Sequence, residues 1–525
     1  MIRSLVWLPA SGHAMWPAPC ASQTGSRRVP FTSTTTSTPP PKARWAGSSS
    51  PVMAARTALR ACAASCRRNR SGCRPIRISP THFRPERAPM TPFSVAFADW
   101  GAGAAFPETA REEARLALLD TVGCIIAGWD EPQTRAARQA FGAEDTATTT
   151  ALILGSAAHV LDFDDYELPG STHPSAGILG ALLGLARGTP MPLRELLDAY
   201  IVGLEAILRL GEWLRYDHYN AGWHATGTLG TIGAAAASAR LLGLPTPVFA
   251  HALAISASLA CGLKVQFGTG TKALHPGFAA RAGIEAARLA AAGATGARGA
   301  FEGPFGFAAL HHGAATEPGG ILAKIGQPLG ISEHAILRKP WPSCAYTHRV
   351  IDAALALHPR LPDPAEWARI TLRMPEPFFR VSSVMQPANA DEARFSAAYT
   401  ALLALLDGAV RPQGFQNGAW LRPAIVELLT RVEIEAYDPG PSLDDMSPDH
   451  PDTVTVHLAD GSALSETVGH VAGGPSRPLS AGALRAKFTS CGGDDATAEL
   501  ITAALLATRL TIGSCAKTFE LTKEE

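Results

Sequence analysis

Four polar islands interrupt a chain in which only 18% of residues are charged, and each carries side chains able to move a proton or hold an anion. The first, "HVLDFDDYELPGSTHPSAG", crowds two histidines and four acids into one stretch, among them Asp162, Asp164, Asp165 and His173. The second, "AGWHATGTLG", sets His224 and Thr226 before a run of small residues. The third, "GTGTKALHPGFAARAG", holds Lys272, His275 and Arg281; the fourth, "KPWPSCAYTHRVID", holds Lys339, Cys344, Thr347, His348 and Arg349. Lysine and arginine neutralise carboxylates, and a neutral imidazole can take the proton alpha to one. Helix N-termini add N–H groups that favour anions. Brought together, the islands would make a cationic pocket for a small polycarboxylate.

Each island alone has a plainer reading. An acidic run at a helix end is commonly solvated, or caps the next helix. His224 beside Trp223 suits a core, and Tyr346, Thr347 and Arg349 suit a helix surface. The "GTG" before Lys272 lacks the G-x-x-x-x-G-K-[ST] spacing of a phosphate loop. Asp and His of the first island can coordinate hard cations, but no H-E-x-x-H or similar spacing supports a metallohydrolase. Beyond residue 89 the cysteines (Cys124, Cys261, Cys344, Cys491 and Cys515) are scattered, with no C-x-x-C pair. That spacing offers no disulfide framework, zinc site or iron–sulfur centre. The expectation is a site with no metal and no cofactor.

The elements that must position these residues are mostly helices. "PETAREEARLALLDTVGCIIAGW" places Ala114, Leu118, Val122 and Ile125 on one face, with Pro107 at its start. Ala/Leu-rich segments follow at 175–188, 193–213, 224–243, 247–262 and 276–293, each bounded by Gly or Pro. After about residue 335 the period shortens. Ile370, Leu372 and Met374 alternate, as do Val432 and Ile434. Val454, Val456 and Leu458 precede an Asp460-Gly461 turn followed by Leu464 and Val468, a hairpin signal. The fold class expected is mainly α: a large all-helical domain (90–334 and 474–515) and a smaller α+β lid domain (335–473). At 525 residues the chain exceeds one ordinary core.

Residues 1–89 differ from the rest: 14 Lys/Arg, one acid (Glu86), and runs such as "TSTTTSTPPPK". A transit peptide, a basic nucleic-acid arm, and an over-extended reading frame compete. We favour the last, with "MTPFSVAFADW" at Met90 opening the folded part and 1–89 a disordered or spurious basic leader. The remainder holds 32 basic and 45 acidic residues, an acidic body with no general attraction for nucleic acid or anionic membrane. No charge-free apolar run approaches ~20 residues, so no membrane span is expected. A cytoplasmic location and a small carboxylate as partner are expected.

The islands, in order, resemble successive signature blocks of the MmgE/PrpD family, which includes 2-methylcitrate dehydratase, cis-aconitate decarboxylase and iminodisuccinate epimerase. "DEARFSAAYTALLALLDG" and "HPDTVTVHLADGS" are similar to later blocks, and the resemblance spans roughly 92–510. It implies a helical domain with an α+β lid, a homodimer, and metal-independent chemistry in the cleft between the domains. Carried over by motif, Asp162, His173, His224 and Lys272 belong to the site, with Lys339 and "PSCAYTH" facing it from the lid. The implied activity is a cofactor-independent lyase, a hydro-lyase of the 2-methylcitrate dehydratase type. His173 or His224 removes the C–H proton, the other or His348 protonates the leaving hydroxyl, and Lys272 with a lid cation holds carboxylates. His275, Lys339, Cys344, Arg349 and Tyr166 complete the expected binding set.

Two departures bear on the reaction. Tyr166 stands where decarboxylase members have Thr, and Cys344 where they have a lid histidine. Both count against decarboxylation, and apolar burial of Cys344 would leave its thiol inert. An epimerase that returns the proton to the opposite face, a cis-aconitate-type decarboxylase and a non-catalytic carboxylate-binding homologue are the alternatives.

Overall fold

Phe93 and Phe97 lie one helical turn apart, and that spacing gives α1 (Phe93–Gly103) a single buried face. The computed structural model describes residues 91–188, 191–312, 317–440, 446–490, 509–512 and 519–522. After α1 come α2 (Glu108–Gly128), α3 (Pro132–Phe141), α4 (Ala147–His159) and α5 (Pro174–Leu185). A two-residue strand β1 (Met191–Pro192) leads into α6 (Leu193–Asn220), α7 (Ala225–Leu241), α8 (Thr246–Leu259) and α9 (Gly270–Ala291). Thr146 and Thr149 form a reciprocal cap at the start of α4.

The Ala/Gly composition has a packing consequence. Helices α5 and α7 are buried on all sides over 174–184 and 225–239, which small side chains allow by letting backbones approach. A Cβ on Gly283 of α9 would lie 2.5 Å from the Ala234 Cβ of α7, so that crossing admits only glycine. Tyr200, Leu204 and Ile207 of α6 pack with Ile178, Leu179, Ile232 and Phe249 in the larger core. Each fully buried Leu or Ile contributes roughly 1.5–3 kcal/mol.

The second core belongs to the lid. Helices α10 (His348–Leu357) and α11 (Ala397–Asp407) cover a four-stranded sheet of order β3-β2-β4-β5. Its strands are β2 (Trp367–Pro375), β3 (Val432–Tyr437), β4 (Asp452–Leu458) and β5 (Ala463–Val468). β2 pairs parallel to β3 and antiparallel to β4, and β4–β5 is the hairpin, with Gly461 at φ +87° in its turn. Ile370, Leu372, Met374, Val454 and Val456 point inward, as their alternation requires. The molecule is mainly helical with a smaller α+β part.

Three features depart from the sequence reading. Helix α6 runs past 213 to Asn220 across a kink at Arg215 (φ 58°, ψ −171°), a polar stretch with too little apolar periodicity to reveal a helix. Helix α9 begins at Gly270, capped by Thr269, and carries Pro276 inside it; the proline obscures the start from periodicity alone. The segment 474–515 is not wholly helical. Helix α12 (Ala481–Ser490) docks on α2, where the Lys487 ammonium meets Asp120 at 2.6 Å and Leu484 meets Leu119. Residues 509–512, however, form strand β6 (Arg509–Ile512), antiparallel to β1 and to β7 (Phe519–Thr522). The large domain is therefore not all-helical; four-residue strands are too short for their period to stand out. The expected helix "ATAELITAALLA" and the leader lie outside the described residues. Among the described residues no helix is long and apolar enough to cross a membrane.

Candidate active site

Three helix starts converge on one pocket. His173 is the N-cap of α5, His224 the N-cap of α7, and Lys272 lies in the first turn of α9. His173 N donates to Thr226 Oγ1 at 3.0 Å, tying the first two starts together. The pocket is lined by Asp162, His173, His224 and Lys272 with Tyr166 and Ser171. Residues 344–346 and Phe395 close it from the lid, while Tyr219 and Phe267 complete the helical side. Aligned N–H dipoles at three helix starts favour negative charge there.

Asp162 is the hub. Its backbone is left-handed (φ 51°), a conformation that aspartate tolerates better than most residues. Oδ2 accepts from Lys272 Nζ at 3.0 Å and Oδ1 from Lys339 Nζ at 2.5 Å, while Oδ1 also lies 3.5 Å from His173 Nε2. Burial alone would raise the pKa of this carboxyl; Lys272 and Lys339 outweigh it and hold Asp162 well below its ordinary value. Lys339 also donates to the carbonyls of Asp162 (3.0 Å) and Ser343 (3.1 Å). All three N–H donors of its ammonium are thereby used. Lys339 fastens lid to helical domain, and its expected place against substrate is corrected: it has no donor left.

Lys272 spends two donors, on Asp162 and on His159 Nε2 at 3.0 Å, and its ammonium also lies 5.4 Å over the Phe267 ring and 5.1 Å over the Phe395 ring. An ammonium only donates, so His159 Nε2 accepts and its proton sits on Nδ1, facing Asp164 at 2.9 Å. Burial brings His159 down to about 4, against the opposing pull of Asp164. His173 stands between two carboxylates, Nδ1 3.3 Å from Asp164 and Nε2 3.5 Å from Asp162. Burial lowers its pKa, and Asp164 opposes the shift. Lys339 and Lys272 add to the effect of burial, so the ring is neutral at rest, while Asp164 favours its protonated form. These are the properties of a general base.

His224 and His275 meet Nδ1 to Nδ1 at 2.7 Å, so one donates to the other. Burial holds His224 well below the ordinary imidazole value and brings His275 to about 4. His275 thus stands behind His224, outside the pocket wall. Tyr166 forms part of the wall, its ring 5.7 Å edge-on to His173 and its backbone bridged to Leu337. Burial, with the charge of Asp162, pushes the Cys344 thiol up to about 12.

Besides Lys339 and His275, two more expected site residues stand outside the pocket. Arg349 lies in the lid core, 2.8 Å from Asp452, with both side chains 1% exposed. His348 is one layer back, Nε2 donating to Ser343 O at 3.2 Å, with burial bringing it to about 3. Both follow Cys344 on a 3₁₀ turn running into α10, which carries their side chains away from the pocket. His159 and Asp164 received no role from sequence although both stand in the first island. Tyr219, Phe267 and Phe395 gave only a faint signal as aromatics beside polar turns.

His159, Asp162, Asp164 and His173 could ligate a cation, since one ligand atom of each lies within 4.8 Å of the others. Lys272 already bonds two of these residues and Lys339 a third bond of the set, so ammonium groups supply the positive charge that a metal would bring. A divalent ion there would face both at close range.

Residues 96–317 match the MmgE/PrpD N-terminal domain and residues 341–505 the MmgE/PrpD C-terminal domain. Cis-aconitate decarboxylase of Homo sapiens is 33% identical over 356 residues, 65% of this chain and 72% of that protein. The Mus musculus protein of the same name is 32% identical over 65% of this chain and 71% of its own length. Cis-aconitate decarboxylase of Aspergillus terreus (strain NIH 2624 / FGSC A1156) is 26% identical over 49% of this chain and 58% of its own.

Proposed function

The chain belongs to the MmgE/PrpD family, and from that premise we propose that its buried pocket is the active site of a cofactor-independent lyase acting on a small carboxylate. One observation carries the reading: a neutral His173 held between Asp162 and Asp164, beside the Lys272 ammonium. Lys272 holds a substrate carboxylate. His173 takes the proton from the adjacent carbon, and the C–H electron pair becomes the new double bond as the C–O bond breaks. Burial keeps His224 neutral and Cys344 a weak acid, which leaves the newly formed His173 imidazolium as the strongest acid in the pocket. It returns the proton to the departing hydroxyl, and water leaves from the same face. Neutral His224 serves as hydrogen-bond donor to the substrate carboxylate while the C–H bond breaks, provided His275 donates to its Nδ1.

Dehydration is the leading form because Cys344 replaces the lid proton donor expected of decarboxylase members. Decarboxylation is the second reading, favoured by likeness to proteins named cis-aconitate decarboxylase. A homodimer in the cytoplasm remains part of the proposal. The test is incubation of the protein with citrate, 2-methylcitrate, malate homologues and cis-aconitate in D₂O, followed by alkene absorbance, NMR and released CO₂. Alkene formation supports dehydration and CO₂ release supports decarboxylation. Deuterated substrate without either identifies an epimerase, and no reaction with any member of the set sinks the lyase reading.

A further inference from the structure

Four consecutive residues between α4 and α5 are each pinned in place, and one pin comes from a helix far along the chain. Asp162 is held by Lys272 and Lys339, Asp164 by His159, and Asp165 accepts from the backbone N of Ser175 at 3.3 Å. Phe163 stands between the two acids that flank His173, and it is held by Lys487 of α12, 324 residues further on. The Lys487 ammonium donates to Phe163 O at 2.7 Å and lies 4.2 Å over the Phe163 ring. Lys487 is only 5% exposed and does not line the pocket.

Stability alone does not account for this lysine. Its acid partner, Asp120 of α2, meets it at 2.6 Å, yet Asp120 Oδ2 has no hydrogen-bond partner among the described residues. A buried ion pair offsets its desolvation only when its remaining polar atoms are satisfied. Leu484 on Leu119 already docks the helix without any charge. What the ammonium adds is a bond to a backbone carbonyl between Asp164 and a left-handed Asp162 (φ 51°). Such a conformation persists only where the surroundings enforce it. Without Lys487 the buried carbonyl of Phe163 loses this donor, and a loop that turns to find another moves both acids relative to His173.

We infer that Lys487 is a positioning residue: from behind the cluster it fixes the loop that holds Asp162 and Asp164 against His173, and it touches no substrate. The inference rests on the lyase reading for its effect on turnover, and on the Phe163 contact alone for its effect on the loop. Two variants of the full chain test it. Lys487→Met leaves Asp120 buried and unpaired, whereas Lys487→Met combined with Asp120→Asn removes both charges, so the double variant is expected to have the higher denaturant midpoint. In the parent, Asp162 N bonds His159 O at 2.8 Å and Tyr166 N bonds Leu337 O at 2.8 Å. Amide exchange read by mass spectrometry is expected to be about tenfold faster over residues 160–166 of the double variant, with α7 unchanged. On whichever of citrate, 2-methylcitrate, malate homologues and cis-aconitate the parent turns over, kcat of the double variant is expected to fall about 10- to 100-fold with KM little changed. A purely structural ion pair requires the opposite, recovery of kcat along with the midpoint. That recovery, or exchange over 160–166 at the parent rate, overturns the inference. Faster exchange there in a protein that turns over none of these compounds supports it while removing the lyase reading.

Discussion

Lys272 donates to His159 Nε2 across 3.0 Å, and this single contact sets the protonation of the buried cluster. It places the His159 proton on Nδ1, against Asp164, whose carboxylate also lies 3.3 Å from His173 Nδ1. Burial makes a proton on His173 costly, and Asp164 beside its ring offsets part of that cost.

Replacing that imidazole tests its role. His173→Gln is expected to lower kcat by ~10²–10⁴ with an unaltered circular dichroism spectrum, the usual share of a general base. Turnover within a few-fold of the parent would remove His173 from the mechanism.

The two lysines should separate by phenotype. Lys272→Met removes the proposed carboxylate donor, and a charge-assisted hydrogen bond is worth roughly 1.5–3 kcal/mol, so the ligand Kd should rise about 10- to 100-fold. Lys339→Met removes three internal bonds instead and should lower the denaturant midpoint. Calorimetry and unfolding curves on both variants distinguish the assignments. A Kd effect confined to Lys339→Met would reverse them.

Asp162→Asn keeps the left-handed backbone, which asparagine tolerates, and removes only the charge. Two buried ammonium groups lose their shared counter-ion, and breaking a buried pair costs about 3–5 kcal/mol. Urea unfolding gives the number directly; a cost below about 1 kcal/mol would mean that the lysines find other partners.

Stability should fall on mild acidification. Burial brings His159 and His275 to about 4 and His348 to about 3, and lowers His173 and His224. Below about pH 6.5 the unfolded chain binds protons that these folded imidazoles refuse, so stability is lost as pH drops toward the folded values. Asp165 acts in the opposite sense. Burial, with Asp120 close by, raises it to about 7, so its contribution is complete below about pH 3.9 and disappears as pH rises through 7. Burial likewise raises Asp452 to about 6 and raises Asp352 and Glu302, and the five imidazoles outnumber these four carboxyls. The denaturant midpoint at pH 5 is expected below that at pH 7.5, and Asp165→Asn should raise the latter; equal midpoints in the parent protein would contradict the burial argument.

A buried thiol raised to about 12 should not alkylate. Peptide mass mapping after iodoacetamide at pH 8 is expected to find Cys344 unmodified and exposed Cys261 labelled. Labelling of Cys344 at the rate of Cys261 would show that the lid opens to solvent on that timescale.

Much of this molecule is decided within the chain itself. The period of Ala114, Leu118, Val122 and Ile125 fixes a helix, and the alternation through Val454, Val456 and Leu464 about Asp460-Gly461 fixes a hairpin, because burial of one face is a local consequence of spacing. Four polar islands in an apolar chain likewise mark where chemistry is concentrated, since burying charge needs partners. What sequence leaves open is which of those charges meet. Lys339 and Arg349 stand ten residues apart and read alike, yet one clasps Asp162 across the domain boundary and the other closes on Asp452 inside the lid. Tyr219 and Phe395 become neighbours of the same cavity only when two domains close on each other. Periodicity is a property of consecutive residues, whereas an ion pair or an aromatic wall depends on distances between segments far apart in the chain, and those distances exist only in the folded molecule.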